Sequence, residues 1–310
     1  MRLLFYLALV LSAAAMLIGC GQEPAKTDVA SRKIKVVATI GMLGDAIKEI
    51  GGDRVDVESL MGPGTDPHLY KATAGDVAKL DEADLVVALG LDLEGRMVEV
   101  LEKIGQSGGR TLLAGDAIPK EKLIVTTSSH GRPDPHVWFD LDLWEIVCQS
   151  IADELVKMDP GNEAGYRQRS RAYIGKVLET KSWTAEQISS IPASQRILIT
   201  AHDAFHYFGK AFGMEVMGIQ GTSTVTEAGA SKIQELSDLI AKKNIKAIFV
   251  ESSVPPNTVT ALQRAVSSRG ATVEIGGELF SDAMGDPSTE EGTYIGMVRH
   301  NVSTIVEALK

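Results

Sequence analysis

Short apolar, β-branched runs alternate along this chain with longer stretches whose apolar residues return every three or four positions. IKVVAT at residues 34–39 predicts a first strand, and a helix follows at 43–50. RVDVESL at 54–60 alternates apolar and polar positions, as a half-buried strand does. Residues 74–82 predict a short helix, 85–89 a third strand, 94–104 a helix and 111–113 a fourth strand. A longer helix covers 141–158 and stops at Asp159-Pro160. A second series begins near Arg196, with strands at 197–200, 215–219, 247–250 and 272–275. Helices fall at 204–212, 230–243, 257–269 and 291–309. Strands alternating with helices predict parallel sheets covered on both faces. The expected class is α/β: two (β/α)4 lobes, with no sequence repeat between them.

The stretch between the two series has its own pattern. Tyr166, Tyr173 and Val177, with the neighbouring Ile174 and Leu178, recur at helical spacing among Arg, Lys and Glu. Thirty-one residues at 1.5 Å each span roughly 45 Å, longer than one domain. Proline flanks this stretch at 160 and 192 and is absent within it, so one stiff connecting helix is expected here. The domain boundaries predicted are 34–160 for the first lobe, 161–192 for the connector and 193–310 for the second lobe.

The start of the chain is set apart. Arg2 is followed by an apolar run from Leu3 to Ile18 broken only by Ser12, then by Gly19-Cys20 and a polar segment. A charged start, an apolar middle and a small-residue cleavage site read as an export signal over residues 1–19. Leu17-Ile18-Gly19-Cys20 looks like a bacterial lipobox, in which Cys20 is lipidated; an ordinary signal peptide with an incidental cysteine is the alternative. Acyl chains contribute about 0.8 kcal/mol per buried methylene, and more than one is needed for stable anchoring. Residues 20–33, rich in Lys, Glu, Ser and Ala, then serve as a tether. The location implied is a lipid anchor on the outer face of the bacterial cytoplasmic membrane, or in the periplasm. With Cys20 acylated, Cys148 has no partner for a disulfide, and its apolar helical neighbours predict a buried thiol.

Composition removes further classes. A formal charge of −10 leaves no footprint for nucleic acid, and 44% hydrophobic with 23% charged residues excludes a disordered chain. No GxSxG elbow, Walker loop or GxGxxG fingerprint is present.

The histidines carry the remaining signal. His68 lies in GPGTDPHLY after the second strand, and His136 in RPDPHVWFD after the fourth. His202 lies in ITAHDAFHYF after the first strand of the second series, and Asp282 in GGELFSDAMG after its last. In parallel α/β sheets, ligands bind outside the carboxyl ends of the strands. Three imidazoles and one carboxylate, reaching that edge from both series, suit a tetrahedral transition-metal site. Taken singly, each histidine could equally be a loop residue bonded to backbone. Two Asp-Pro-His tripeptides stiffen the turns that present His68 and His136, and Asp66 and Asp134 serve either as partners of those histidines or as turn caps. His206 follows His202 by four residues, a real zinc-ligand spacing, but the zincin pattern needs Glu where Asp203 stands. His130 and His300 read as solvent-facing or structural. The tryptophans Trp138, Trp144 and Trp183 read as core or lobe-packing residues. Glu227 and Glu251 sit after strands as supporting groups, not as ligands.

GTDPHLYKAT, DPHVWFD, TAHDAFHYFG, FVESSVP, GGELFSDAMG and EGTYIGMVRHN together carry a resemblance over the whole mature chain. It resembles the lipoprotein substrate-binding proteins of manganese/zinc ABC importers, the TroA-like branch. The resemblance implies two lobes on a rigid helix and one metal ion in the cleft, held by His68, His136, His202 and Asp282; His206 occupies a position this family does not use. It also implies a receptor that captures zinc or manganese as cargo and delivers it to an ABC importer permease, with no reaction catalysed; a monomer is expected. Two departures bear on the metal. Manganese-dedicated relatives usually carry Glu at the position of His202. Zinc-dedicated relatives often carry a His-rich acidic loop before the second ligand, where this chain has only His130. Zinc, manganese and iron stay open. A zinc hydrolase is the rival enzyme reading, although four donors would leave no position for water. A surface adhesin is the third, against which aromatics amount to only 5% of the chain.

Overall fold

The computed structural model describes residues 29–126 and 131–310. The export signal, Cys20, most of the tether and His130 lie outside the described residues. Strand β1 (Ile34–Ala38) runs between β2 (Val55–Ser59) and β3 (Leu85–Ala88), and β4 (Thr111–Leu113) closes the sheet beyond β3. All pairings are parallel, with Ile34 opposite Val55, Val36 opposite Leu85 and Val86 opposite Thr111. Every residue of β3 is buried, as is β1 apart from Lys35, because helices cover both faces of a parallel sheet.

Helix α1 (Gly41–Gly51) follows β1 and buries Met42, Leu43, Ile47 and Ile50. Helix α2 (Ala74–Glu82) begins at a capping box: Thr73 Oγ1 accepts the Asp76 N–H at 3.2 Å, and the Asp76 carboxylate accepts the Thr73 N–H at 2.8 Å. That cap closes the loop carrying His68. The helix predicted from residue 94 starts later, as α3 (Val98–Gln106). Glu94 is drawn beneath the preceding turn, where its carboxylate accepts from Thr39 Oγ1 at 2.6 Å and from the N–H groups of Leu89 and Gly90. Residues 90–92 are left-handed there, with φ of 77°, 55° and 68°.

After α4 (Leu141–Met158) the chain turns at Asp159 into α5 (Glu163–Ser189), 27 residues and about 40 Å long. Asp159 collects Arg54, Asn162 and Tyr166 at that turn. Arg169 of α5 donates to the carbonyls of Ile50 and Gly51, at 2.7 and 2.9 Å, and so satisfies the end of α1.

The second series runs β5 (Ile197–His202), α6 (His206–Phe212), β6 (Glu215–Gln220), α7 (Ala230–Lys243), β7 (Ala247–Glu251), α8 (Asn257–Ser267), β8 (Glu274–Leu279) and α9 (Tyr294–Leu309). Its strands are parallel but form two pairs, β5–β6 and β7–β8, instead of one four-stranded ladder. β5 and β7 still lie side by side, and a register shift between Ile248 and Val250 distorts β7, of the kind that increases local twist and interrupts pairing. Ile199, Leu236, Ile240, Ile248, Val259 and Leu262 fill the core of this lobe. β8 reaches Leu279, beyond the predicted 272–275, because Gly276 and Gly277 are interior strand residues and not a stop. A Cβ on Gly276 would stand 2.7 Å from the Ala308 methyl, so glycine is what lets α9 lie against the strand.

Helix α5 packs against α1 and α4 of the first lobe and against α9 of the second. The Asp45 carboxylate joins α1, α5 and α9: it accepts from Tyr173 of α5 at 3.0 Å and from the Tyr294 N–H of α9 at 3.1 Å. No helix among the described residues is long and apolar enough to cross a membrane.

Candidate metal centre

Four side chains predicted to share one sheet edge do meet. His68 comes from the loop between β2 and α2, and His136 from the single helical turn before α4. His202 is the last residue of β5, and Asp282 follows β8. Each offers one donor atom, and those atoms lie within 4.8 Å of one another. His136 Nε2 is 3.4 Å from His68 Nε2 and 3.2 Å from His202 Nε2. The Asp282 carboxylate lies 3.3 Å from the Nε2 atoms of His136 and His202, and 3.8 Å from that of His68. Relative exposures are 3, 0, 0 and 1% for His68, His136, His202 and Asp282. Neither Asp282 oxygen has a hydrogen-bond donor in good geometry among the described residues.

Carboxylates on the far sides of two imidazoles set which nitrogen faces inward. Asp134 Oδ1 lies 2.7 Å from His136 Nδ1 and accepts the His136 N–H as well. Glu251 Oε2 lies 2.5 Å from His202 Nδ1, and Oε1 accepts the His202 N–H at 2.9 Å. Each Nδ1–H is thereby held, and Nε2 is the nitrogen that faces inward. Asp66 behaves differently from Asp134: it caps the turn through the His68 N–H and accepts Thr224 Oγ1 from the second lobe at 2.6 Å. Glu251 emerges from the sequence as a residue after a strand; its grip on His202 depends on β5 and β7 lying side by side, which no local pattern reveals.

Burial pushes the His68 imidazole down to about 3, the neighbouring Asp282 notwithstanding. Burial would depress His136 and His202 too, but Asp134 with Asp282 lifts His136 to about 9, and Glu251 with Asp282 lifts His202 well above its usual value. Asp282 is held well below the ordinary carboxylate range, since the His202 and His136 imidazoles outweigh its burial.

Other sequence candidates lie elsewhere. His206 turns to Asp134 and not into the quartet; His300 bonds the Glu278 carbonyl at 3.0 Å. Cys148 is a buried thiol. A cleft of about 550 Å³ borders the quartet only at His68, and its walls include Asp92, Arg132, Thr222 and Glu227. Trp138 stands edge-on to His136, and its indole N–H donates to the Ser281 carbonyl across the lobes.

Comparison with known proteins follows the same lines. A family profile described as "Zinc-uptake complex component A periplasmic" (ZnuA) matches residues 36–308. The manganese-binding lipoprotein MntA of Bacillus subtilis is 46% identical over 305 residues, covering 98% of each chain. The zinc-binding protein TroA of Treponema pallidum is 48% identical over 285 residues, covering 92% of this chain and 91% of TroA. The solved structure of that periplasmic zinc-binding TroA superposes with a TM-score of 0.87 over 89% of this chain and 99% of its own, at 47% identity. With nearly its whole length inside that profile, and relatives this similar over nearly all of theirs, the chain belongs to the ZnuA family of metal-uptake binding proteins.

Proposed function

We propose that this protein is an extracytoplasmic receptor that captures one divalent transition metal ion, zinc or manganese, and delivers it to the permease of an ABC importer. His68, His136 and His202 supply Nε2 donors and Asp282 a carboxylate oxygen. One observation carries this reading: a fully buried carboxylate, with no well-directed hydrogen-bond donor among the described residues, stands 3.3–3.8 Å from three imidazole nitrogens. Burying an unsatisfied charge is costly, and a cation bound at that point removes the cost. The relatives named above bind manganese in one case and zinc in the other, so both ions belong to the proposal. Four buried donors favour capture over hydrolysis, which needs an open coordination position for water.

Residues 34–160 and 193–310 are proposed to act as two lobes on the 161–192 connector, as a monomer, with cargo bridging the cleft. Lipidation at Cys20 is proposed to hold the receptor at the membrane. Because the donors come from both lobes, metal should stabilise only the folded chain. Metal-free protein titrated with zinc or manganese should bind one ion and melt at a higher temperature. A melting curve unmoved by saturating amounts of either ion would overturn the proposal.

A further inference from the structure

His206 is left over from the quartet, yet it is not idle. It opens α6, and its Nδ1 lies 2.9 Å from Asp134 Oδ2. The other oxygen of that carboxylate holds His136 Nδ1 at 2.7 Å. One carboxylate therefore serves two imidazoles, one inside the quartet and one outside it. Asp134 is itself wholly buried, and its backbone is fixed on both sides: its N–H donates to the Ile124 carbonyl at 2.8 Å and its carbonyl accepts Tyr207 Oη at 3.0 Å. With the backbone pinned and Oδ1 also accepting the His136 N–H at 3.0 Å, His206 holds Oδ2, the carboxylate's other oxygen, and completes its restraint.

We propose that His206 is a positioning residue for metal capture, acting on His136 through Asp134. A carboxylate held by a second donor keeps its first oxygen on His136 Nδ1, which fixes the ring plane and aims Nε2 at the ion. A histidine ligand oriented in this way binds metal more tightly than a free one, and outer partners of this kind are worth about tenfold to a hundredfold in affinity. His206 Nε2 lies 3.6 Å from Asp203 Oδ1, and the side chain is only 22% exposed; the ring is thus confined at both nitrogens.

This inference rests on the metal-receptor reading, and a double-mutant cycle separates the two. The full-length protein, purified in detergent, is compared as wild type, His206→Leu, Asp134→Asn and the double variant. Zinc affinity is measured by competition with a chelator, and cobalt(II) spectra report the ligand geometry. His206→Leu should lower zinc affinity about tenfold and change the intensity of the cobalt bands. His206→Gln, which retains a donor, should recover part of the loss. In the Asp134→Asn background, removing His206 should have little further effect, because the partner it acts through is already altered. Equal losses in both backgrounds would overturn the inference, as would a His206→Leu protein with unchanged affinity and cobalt spectrum. Wild type that binds neither zinc nor cobalt would instead sink the receptor reading. Melting of the metal-free variants identifies any loss due to the fold alone: a His206→Leu protein whose metal-free form melts far below wild type, with no recovery in His206→Gln, would count against the proposal.

Discussion

His202 shows how a single residue's exchange depends on what stands behind it. Replacing it with Glu would give two nitrogens and two carboxylates, a harder donor set. Glu251 already lies 2.5 Å from His202 Nδ1, so His202→Glu alone sets two buried carboxylates face to face, and like charges disfavour joint ionisation. The single variant should lose metal-free stability. His202→Glu with Glu251→Gln should recover it and lower the zinc-to-manganese affinity ratio about tenfold, or roughly 1.4 kcal/mol, as competition titrations at one pH would measure. A ratio no lower than wild type would assign the preference to cleft geometry. Protons compete for the same nitrogens. His136 is raised to about 9 in the fold from an ordinary 6.5, and His202 is raised as well. A raised group stabilises the metal-free protein fully below 6.5, and that contribution is lost as pH rises through the folded value. Zinc needs the deprotonated ring, so its affinity rises over the same interval. The melting-temperature gap between zinc-loaded and metal-free protein should therefore widen from pH 6.5 to 9; a constant gap would contradict the assignment. His68, lowered to about 3, offers zinc a proton-free nitrogen across that window.

Among the elements, α5 is the one whose length the sequence announced and whose partners it did not. Arg169 reads locally as one of several solvated charges on a helix. In the fold it caps the last carbonyls of α1, at 2.7 and 2.9 Å, and its guanidinium lies 5.3 Å from the Tyr166 ring centre. Arg169→Ala should cost about 1.5–3 kcal/mol in chemical denaturation, the range for hydrogen bonds from a charged donor, and leave zinc affinity unchanged, since α1 contributes no donor. Denaturation at the wild-type midpoint would show that water replaces the guanidinium without loss. Periodicity located most strands and helices, including α2, α4, α7 and β4 at their observed bounds. It failed where a tertiary contact decided the outcome. Glu94 looks like a helix start but serves as the acceptor for Thr39, Leu89 and Gly90. Gly276-Gly277 looks like a break but is where α9 presses on β8. The quartet was legible because each member ends a strand or follows one, a rule of parallel sheets; the Glu251 and His206 contacts were not, because they arise between segments 49 and 72 residues apart.

For the whole molecule, the proposed anchor and the proposed metal site occupy separate parts of the chain. Cys20 opens the expected tether, and the four candidate donors span residues 68 to 282. Cys20→Ser should move the protein from the membrane to the soluble fraction with metal affinity intact, as fractionation and titration would show. A variant still in the membrane pellet would mean that something other than acyl chains holds it. The three tryptophans differ in their distance from the candidate metal site. Trp144 stacks on Tyr294 and Trp183 lies beneath Arg299, whereas the Trp138 ring centre is 5.2 Å from that of His136. Trp138 is therefore placed to report the cargo: cobalt(II), with its partly filled d shell, should quench the indole emission, whereas zinc, with its filled d shell, should leave it unquenched. The indole N–H also donates to the carbonyl of Ser281, the residue before Asp282, so the wavelength of that emission should shift if cargo moves the segment that carries the carboxylate.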